Sequence, residues 1–406
     1  MESIKLAIFT HDIDYGIELG EALSIFRNNF IVKVFEDISE LETLYDSKVE
    51  SGFDLLLLEL DTDKMPETVL KDIGKMSETF GNDKRIIRLT EVRADCAKDV
   101  ESMVFVLYKF SAVQDLVADI LLYYSLLCGK KMFSPPNENM KMIAFCSAKG
   151  GAGKTTVALG VGQALRRYYS KSVLYLNFEE VESTLLYMKK REGGLDLCAY
   201  LYYFLKPGGK KPDLEAFLTS DKFGVKTFVP GASTNELLNL DDEKMIVFLN
   251  EIENSGAFDY VLIDMGESFS ERAKNMLNVC NKIVVISTFD GLEDLQEKRY
   301  IRCLQSVIGA VAYKSHNADA NVEDGATVKV VDGNNANVLG GAIGRLNKNI
   351  ITVYNKITEP EEVAFDGTSI YIEFDSDSFE RIGEVIEISI DRDFGRGIKE
   401  LVKKII

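Results

Sequence analysis

The chain has 406 residues, with 65 Asp and Glu against 47 Lys and Arg, for a formal net charge of −18. That balance argues against unassisted nucleic-acid binding, which needs a basic surface, and no apolar run reaches the length of a membrane span. The start, Met1-Glu2-Ser3-Ile4-Lys5, lacks a signal-peptide pattern. Cys96, Cys128, Cys146, Cys198, Cys280 and Cys303 are far apart and form no CxxC pair, so they read as reduced cytosolic thiols, and His11 and His316 are too few for a histidine metal site.

Residues 4–9 form a first strand, and helical spacing runs from Asp14 to Phe26 through Ile17, Leu19 and Leu23. Residues 31–35 are a second strand, and Leu41, Leu44 and Tyr45 suggest a short helix. Residues 53–60 are apolar on both faces, as expected of a central parallel strand. Two more strands follow at 85–89 and 103–107, then an amphipathic helix at 114–127. Strands alternating with helices over residues 1–130 predict a doubly wound α/β domain.

This order resembles a response-regulator receiver domain. The resemblance implies a phosphorylatable aspartate at the end of the third strand, where the chain has Glu59, and an acid pair after the first strand, where it has Thr10-His11. Thr90 and Lys109 stand where a receiver keeps its hydroxyl and its lysine. The expectation is a pseudo-receiver that takes no phosphate and serves as an interaction domain.

Residues 131–140, with Pro135-Pro136 and Asn137-Glu138-Asn139, read as a linker to a second domain at 141–406. An apolar strand there ends at Ser147, followed by Lys149-Gly150-Gly151-Ala152-Gly153-Lys154-Thr155-Thr156 and a helix to Tyr168. Strand, glycine turn and helix are the setting of a phosphate loop: backbone N–H groups turn inward and the helix start points at the same place. Lys154 is then the lysine for the β- and γ-phosphates of ATP, and Thr155 a ligand of Mg²⁺.

A strand at 172–178 carries Asn177 and is followed by Glu179 and Glu180. Helical patterns follow at 195–205 and 214–218, a strand ends at 227–231, and a helix spans 242–254. Residues 258–266 close an apolar strand on Asp264 and Gly266. An acid there, after a matched phosphate loop, predicts the carboxylate that completes the Mg²⁺ shell with Thr155. A strand at 282–287 and a helix at 292–308 precede residues 312–349, rich in Asn, Asp and Gly and read as an insertion. Strands at 350–355, ending on Asn355, and 371–374 follow. Residues 397–406 put Ile398, Leu401, Val402, Ile405 and Ile406 on one face, with Lys399, Lys403 and Lys404 on the other. That face suits either docking on the sheet or contact with a membrane.

The loop resembles the deviant Walker A of the MinD/ParA class of ATPases. The resemblance implies a mostly parallel P-loop domain, an ATP-dependent homodimer in which Lys149 reaches the partner's nucleotide, and Asn355 at the adenine base. In that class the strand at 172–178 ends in Asp-x-Asp, where this chain has Asn177 and Glu179, so Glu179 is the carboxylate left for the attacking water and hydrolysis is expected to be slow. A pseudo-receiver joined to such a domain resembles the CpaE/TadZ localisation factors of Flp/Tad pilus assembly. That implies pilus or secretion proteins as partners of the receiver-like domain, and a cytoplasmic address at the inner membrane face or a cell pole. Two other readings stand beside it: a DNA-partition ParA-type ATPase, and an ATP-bound scaffold that does not hydrolyse.

Overall fold

The computed structural model describes residues 3–26, 30–37, 40, 52–59, 85–100, 102–128, 136–190, 195–206, 212–231, 235–266, 270–288, 298–306, 349–358 and 369–406. The short helix expected at Leu41–Tyr45, most of the insertion at 312–349, and parts of the linker and of the 292–308 helix lie outside these residues. The chain divides into two compact units, Met1–Ser134 with Arg191–Leu218, and Pro135–Lys190 with Thr219–Ile406. Residues 191–218, which the sequence places in the second domain, therefore group with the first.

In the first unit the strands are β1 (Ile4–Phe9), β2 (Phe30–Phe35), β3 (Leu55–Glu59), β4 (Ile86–Thr90), β5 (Ala97–Asp99) and β6 (Val104–Tyr108). They form one sheet in the order β2-β1-β3-β4-β6-β5. All pairs are parallel except the β5–β6 edge, which the sequence did not suggest. Without that edge the order is the doubly wound 2-1-3-4-5. Leu55 to Glu59 are all buried, as an apolar central strand requires. The unit's helices are α1 (Ile13–Phe26) and α2 (Val113–Cys128).

Helix α2 is buried without a break from Leu116 to Leu126, more than an amphipathic helix on one sheet would be. A 3₁₀ turn at Leu214–Phe217 packs on it, with Leu214, Ala216 and Phe217 buried, and Ser125 Oγ accepts a 3.0 Å hydrogen bond from Asp213 N. The turn in turn holds α3 (Leu197–Leu205), capped by Asp196, through Tyr200 against Phe217 with ring centroids 5.2 Å apart. Local helical periodicity gives no sign of this grouping.

The second unit is an eight-stranded sheet. Its strands are β7 (Lys141–Cys146), β8 (Val173–Phe178), β9 (Leu218–Ser220), β10 (Lys226–Phe228), β11 (Tyr260–Met265), β12 (Lys282–Thr288), β13 (Asn349–Ile357) and β14 (Ile370–Glu373). Their order is β14-β13-β12-β7-β11-β8-β10-β9. The ladders from β14 to β10 are parallel, so the fold is the mostly parallel α/β sheet that the sequence predicts. The helices are α4 (Lys154–Tyr169), α5 (Asp242–Ser255), α6 (Glu271–Val279) and α7 (Asp393–Ile405), and residues 298–306 are helical. An antiparallel hairpin, β15 (Phe379–Ile382) and β16 (Val385–Ile388), stands apart from the large sheet.

Helix α7 packs on α4 and β14. A side chain at Gly160 would lie 3.0 Å from the Phe394 ring and 3.2 Å from Ile398, so the glycine lets the two helices approach. Ile398, Leu401, Val402 and Ile405 are fully buried in the core that also holds Val157, Val161 and Leu165. Of the two readings of this helix, docking on the sheet is the one the structure shows, and burial in the core occupies the apolar face that contact with a membrane would need. No helix among the described residues is long and apolar enough to cross a membrane.

Candidate functional site

The loop leaves the end of β7, which lies between β11 and β12 in mid-sheet. Gly151 and Gly153 take φ of 76° and 92°, the left-handed region that glycine enters without strain. Helix α4 opens at Lys154 with Gly153 at its N-cap. The Thr156 hydroxyl donates to Gly153 O at 2.9 Å, and that of Ser147 to Lys149 O at 2.8 Å. Lys149 is exposed, whereas Lys154 is only 5% exposed.

Two residues near the end of β13 hold the loop. Asn355 Nδ2 donates to Ala152 O at 2.8 Å, and Lys356 Nζ to Gly151 O at 2.6 Å. A Cβ at Gly153 would lie 2.4 Å from Asn355 Nδ2, so this approach needs glycine. The sequence places Asn355 at a base; the structure engages its amide nitrogen with the loop backbone.

The strand ends of β8 and β11 supply the acids. A Cβ at Gly266 would stand 3.0 Å from Phe178 O, so Gly266 lets the chain leave β11 beside the end of β8. Asp264 is fully buried, and its Oδ2 accepts from the Thr155 hydroxyl at 2.6 Å and from the Tyr175 hydroxyl at 2.8 Å. Tyr175 is itself fully buried, and its oxygen accepts from Asn177 Nδ2 at 3.2 Å. Asn177 Oδ1 accepts from Glu179 N at 2.7 Å. Both ends of the Asn177 side chain are thus engaged in fixing the strand end.

Asn235 completes the arrangement. Its Nδ2 donates to Asn177 O at 2.8 Å and to Glu179 O at 3.0 Å, while its Oδ1 accepts from Leu237 N at 3.1 Å. Glu179 Oε1 lies 3.6 Å from Lys154 Nζ, and its Oε2 accepts from Ser183 Oγ at 3.2 Å. The sequence brought Lys154, Thr155, Glu179 and Asp264 to one site, and the structure does the same. It adds Tyr175 and Asn235, which sequence reasoning missed. A tyrosine inside the apolar run 173–178 was the available signal for the first, since a buried hydroxyl needs a partner. No local signal marked the second.

Burial pushes the Asp264 carboxyl up to about 6, helped by the charge of Glu179, while Thr155, Tyr175 and Lys154 pull the other way. Burial likewise raises Glu182 to about 7, with Glu236 and Glu179 adding to the rise and the Thr184 hydroxyl opposing it. Asp264 Oδ1 is buried with no hydrogen-bond partner among the described residues. An orphaned carboxylate oxygen beside a threonine hydroxyl is a hard-oxygen pair, which fits Mg²⁺. The glycine turn at Gly151 and Gly153, with the helix start and buried Lys154, fits phosphate.

The first unit has its own polar centre. Glu59, 4% exposed, accepts from the Thr10 hydroxyl and from Lys109 Nζ at 2.6 Å. Lys109 also pairs with Glu91 at 2.6 Å, and Lys109 O accepts from the Tyr15 hydroxyl at 2.6 Å. Burial pulls the Lys109 ammonium down, but the two glutamates outweigh it, so its pKa stands above the ordinary lysine value.

Several solved structures are similar to this chain. The septum site-determining protein MinD of Pyrococcus horikoshii, complexed with Mg-ADP, shares 15% identity over 66% of this chain and 96% of its own, with a TM-score of 0.42. A plasmid partition protein of Borrelia burgdorferi bound to AMPPNP shares 14% over 66% and 99%, at 0.41. A ParA family ATPase of Chlorobium tepidum shares 15% over 60% and 87%, at 0.38. No curated protein matches the chain at a significant level. Residues 140–298, the segment that carries the loop, Glu179 and Asp264, match the family model described as AAA domain.

Proposed function

We propose that the second unit binds ATP with Mg²⁺ and that the chain is an ATP-dependent assembly or localisation factor that hydrolyses slowly or not at all. The carrying observation is the Thr155–Asp264–Tyr175 cluster under a glycine loop, with one Asp264 oxygen left over. The backbone N–H groups of Gly150, Gly151, Ala152, Gly153, Lys154, Thr155 and Thr156 and the Lys154 ammonium would hold the phosphates. Thr155 and Asp264 would hold the metal, whose charge offsets that of the phosphates. Asn355 serves as a support of the loop.

Glu179 is the carboxylate available to orient a water, and Lys154 at 3.6 Å keeps it near the loop. Asn177, bonded to Tyr175 and to Glu179 N, contributes no base. Slow turnover, or an ATP-bound scaffold, follows from that pair. A DNA-partition role has only the resemblance of the loop in its favour, against a net charge of −18.

In this reading residues 1–130 are a receiver-like domain, 131–140 a linker and 141–406 the ATPase region, except that residues 191–218 group with the first unit. Glu59 occupies the phosphoacceptor position and is closed off by Lys109 and Thr10, so the first unit recognises proteins without taking phosphate. Exposed Lys149 would reach the nucleotide of a second copy, making ATP part of a two-fold interface. The resemblance to pilus-assembly factors makes pilus or secretion proteins the partners, at the inner membrane face or a cell pole. Light scattering with a parallel phosphate-release assay tests the reading. An ATP- and Mg²⁺-dependent dimer with turnover on the order of one per minute or less is expected, against the faster rates usual for enzymes. A monomer that turns over many ATP per second would contradict it.

A further inference from the structure

Strand β13 pairs regularly with β12 as far as Asn355, but its register on β14 shifts between Tyr354 and Ile357. Within that shift Lys356 takes φ of 60°. The strand end is thus a bulge with a lysine in the left-handed region, a conformation that costs a residue with a Cβ and persists only where its surroundings hold it. In a regular strand successive side chains point to opposite faces. Here two successive side chains reach one target, Asn355 Nδ2 at 2.8 Å from Ala152 O and Lys356 Nζ at 2.6 Å from Gly151 O. The bulge lets neighbours on the strand address neighbouring carbonyls of the loop. The next carbonyl, Gly153 O, accepts from Val157 N at 3.0 Å and from the Thr156 hydroxyl.

Peptide geometry carries this to the other side of the loop. A trans peptide is planar, so its C=O and N–H point in opposite directions. The Gly151 carbonyl shares a peptide with the Ala152 N–H, and the Ala152 carbonyl shares one with the Gly153 N–H. Lys356 and Asn355 draw the two carbonyls to β13, and so aim the two N–H groups away from it. Successive backbone N–H groups on one side of a turn form a concave anion site. Gly151 and Gly153, both left-handed, give the chain the freedom to make that turn.

We propose that the Asn355–Lys356 bulge positions the phosphates of the bound nucleotide, Lys356 acting through the Ala152 N–H and Asn355 through the Gly153 N–H. This rests on the reading that the second unit binds ATP. Lys356 is then a positioning residue: its ammonium holds the loop, and the loop holds the phosphates. The role accounts for a lysine at a position where glycine would carry no strain.

Calorimetric titration of ATP with Mg²⁺ into the full chain, beside thermal unfolding, tests it. Lys356→Met keeps an unbranched side chain and removes the donor. It should weaken ATP binding about tenfold, the loss of one charged hydrogen bond, and Lys356→Arg should restore most of the affinity. Lys356→Gly should bind as weakly as Lys356→Met yet unfold no earlier than the wild type, because glycine relieves the left-handed strain. A lysine that served stability alone would give the reverse, an earlier unfolding with unchanged affinity. The ratio of wild-type to Lys356→Met affinity should hold from about 0.1 M to about 1 M salt, although the screening length falls from about 10 Å to about 3 Å. Equal affinity of wild type and Lys356→Met, or a ratio that vanishes in high salt, would overturn the proposal and leave ATP binding standing. A wild type that binds no ATP would remove the proposal and the reading beneath it together.

Discussion

Thr155 Oγ1 donates a hydrogen bond of 2.6 Å to Asp264 Oδ2, joining the first turn of the phosphate-loop helix to the end of a strand 109 positions later. The same oxygen takes the Tyr175 hydroxyl, so Asp264 is held by two donors and keeps its second oxygen for a metal. Tyr175→Phe removes one donor and leaves Asn177 Nδ2 without its acceptor. It should cost about 1 kcal/mol of stability and weaken Mg²⁺-dependent ATP binding by about tenfold, as loss of a supporting group around a metal does. Denaturant unfolding and titrations with and without Mg²⁺ check the two effects.

The raised pKa of Asp264, about 6, sets a pH dependence. Below that pH the carboxyl holds a proton that Mg²⁺ must displace. The benefit of Mg²⁺ to ATP binding should therefore be constant above pH 7 and fall about tenfold per unit well below pH 6. Asp264→Asn should abolish both the benefit and its pH dependence. Titration calorimetry between pH 5 and 8 is the measurement.

Glu182 gives a stability effect. Its pKa stands at about 7 in the fold against 4.5 for the free side chain, so the folded state binds the proton more tightly. The contribution is fully present below pH 4.5 and is lost as the pH rises through 7. Relative to Glu182→Gln, the wild type should lose about 2–3 kcal/mol at most between pH 4.5 and 8. Urea unfolding of both proteins across that range reads the difference.

In the first unit, Glu59→Ala leaves the buried Lys109 ammonium with Glu91 alone. Breaking a buried pair costs about 3 kcal/mol, so the variant should unfold well before the wild type. Incubation with a small phosphodonor and Mg²⁺ should leave wild-type Glu59 unmodified, as read by intact mass.

Lys149→Ala should keep most of the ATP affinity and weaken the ATP-dependent dimer, because Lys149 is exposed while Lys154 is buried beside Glu179. Light scattering with ATP and Mg²⁺ separates this from a lysine that serves its own site, for which the dimer population would be unchanged and affinity would fall.

The loop was legible in the sequence because its chemistry is local: consecutive glycines, one lysine, one threonine and a helix start. Asp264 was legible because an apolar strand ended on it. Tyr175 and Asn235 were not, because each acts across strands or between loops, and nothing in their own neighbourhoods announces a partner. Asn355 had the right strand end, but which way its amide faces depends on how closely Gly153 lets it approach. The C-terminal helix showed its apolar face plainly, yet periodicity cannot say whether a sheet or a membrane covers it. The grouping of 191–218 with the first unit rests on Phe217 and Ser125, pairings that no local pattern encodes. The hairpin at 379–388 was missed because its short strands lack clean alternation.

The central claim is that this loop is built to bind ATP, and isothermal titration of ATP with Mg²⁺ into the wild type and Lys154→Ala tests it most directly. Lys154 is buried at the start of the helix and supplies the charge opposite the β- and γ-phosphates. The account predicts saturable one-to-one binding by the wild type and its loss in the variant, with circular dichroism of the two unchanged. A folded Lys154→Ala protein that binds ATP as tightly as the wild type would contradict it.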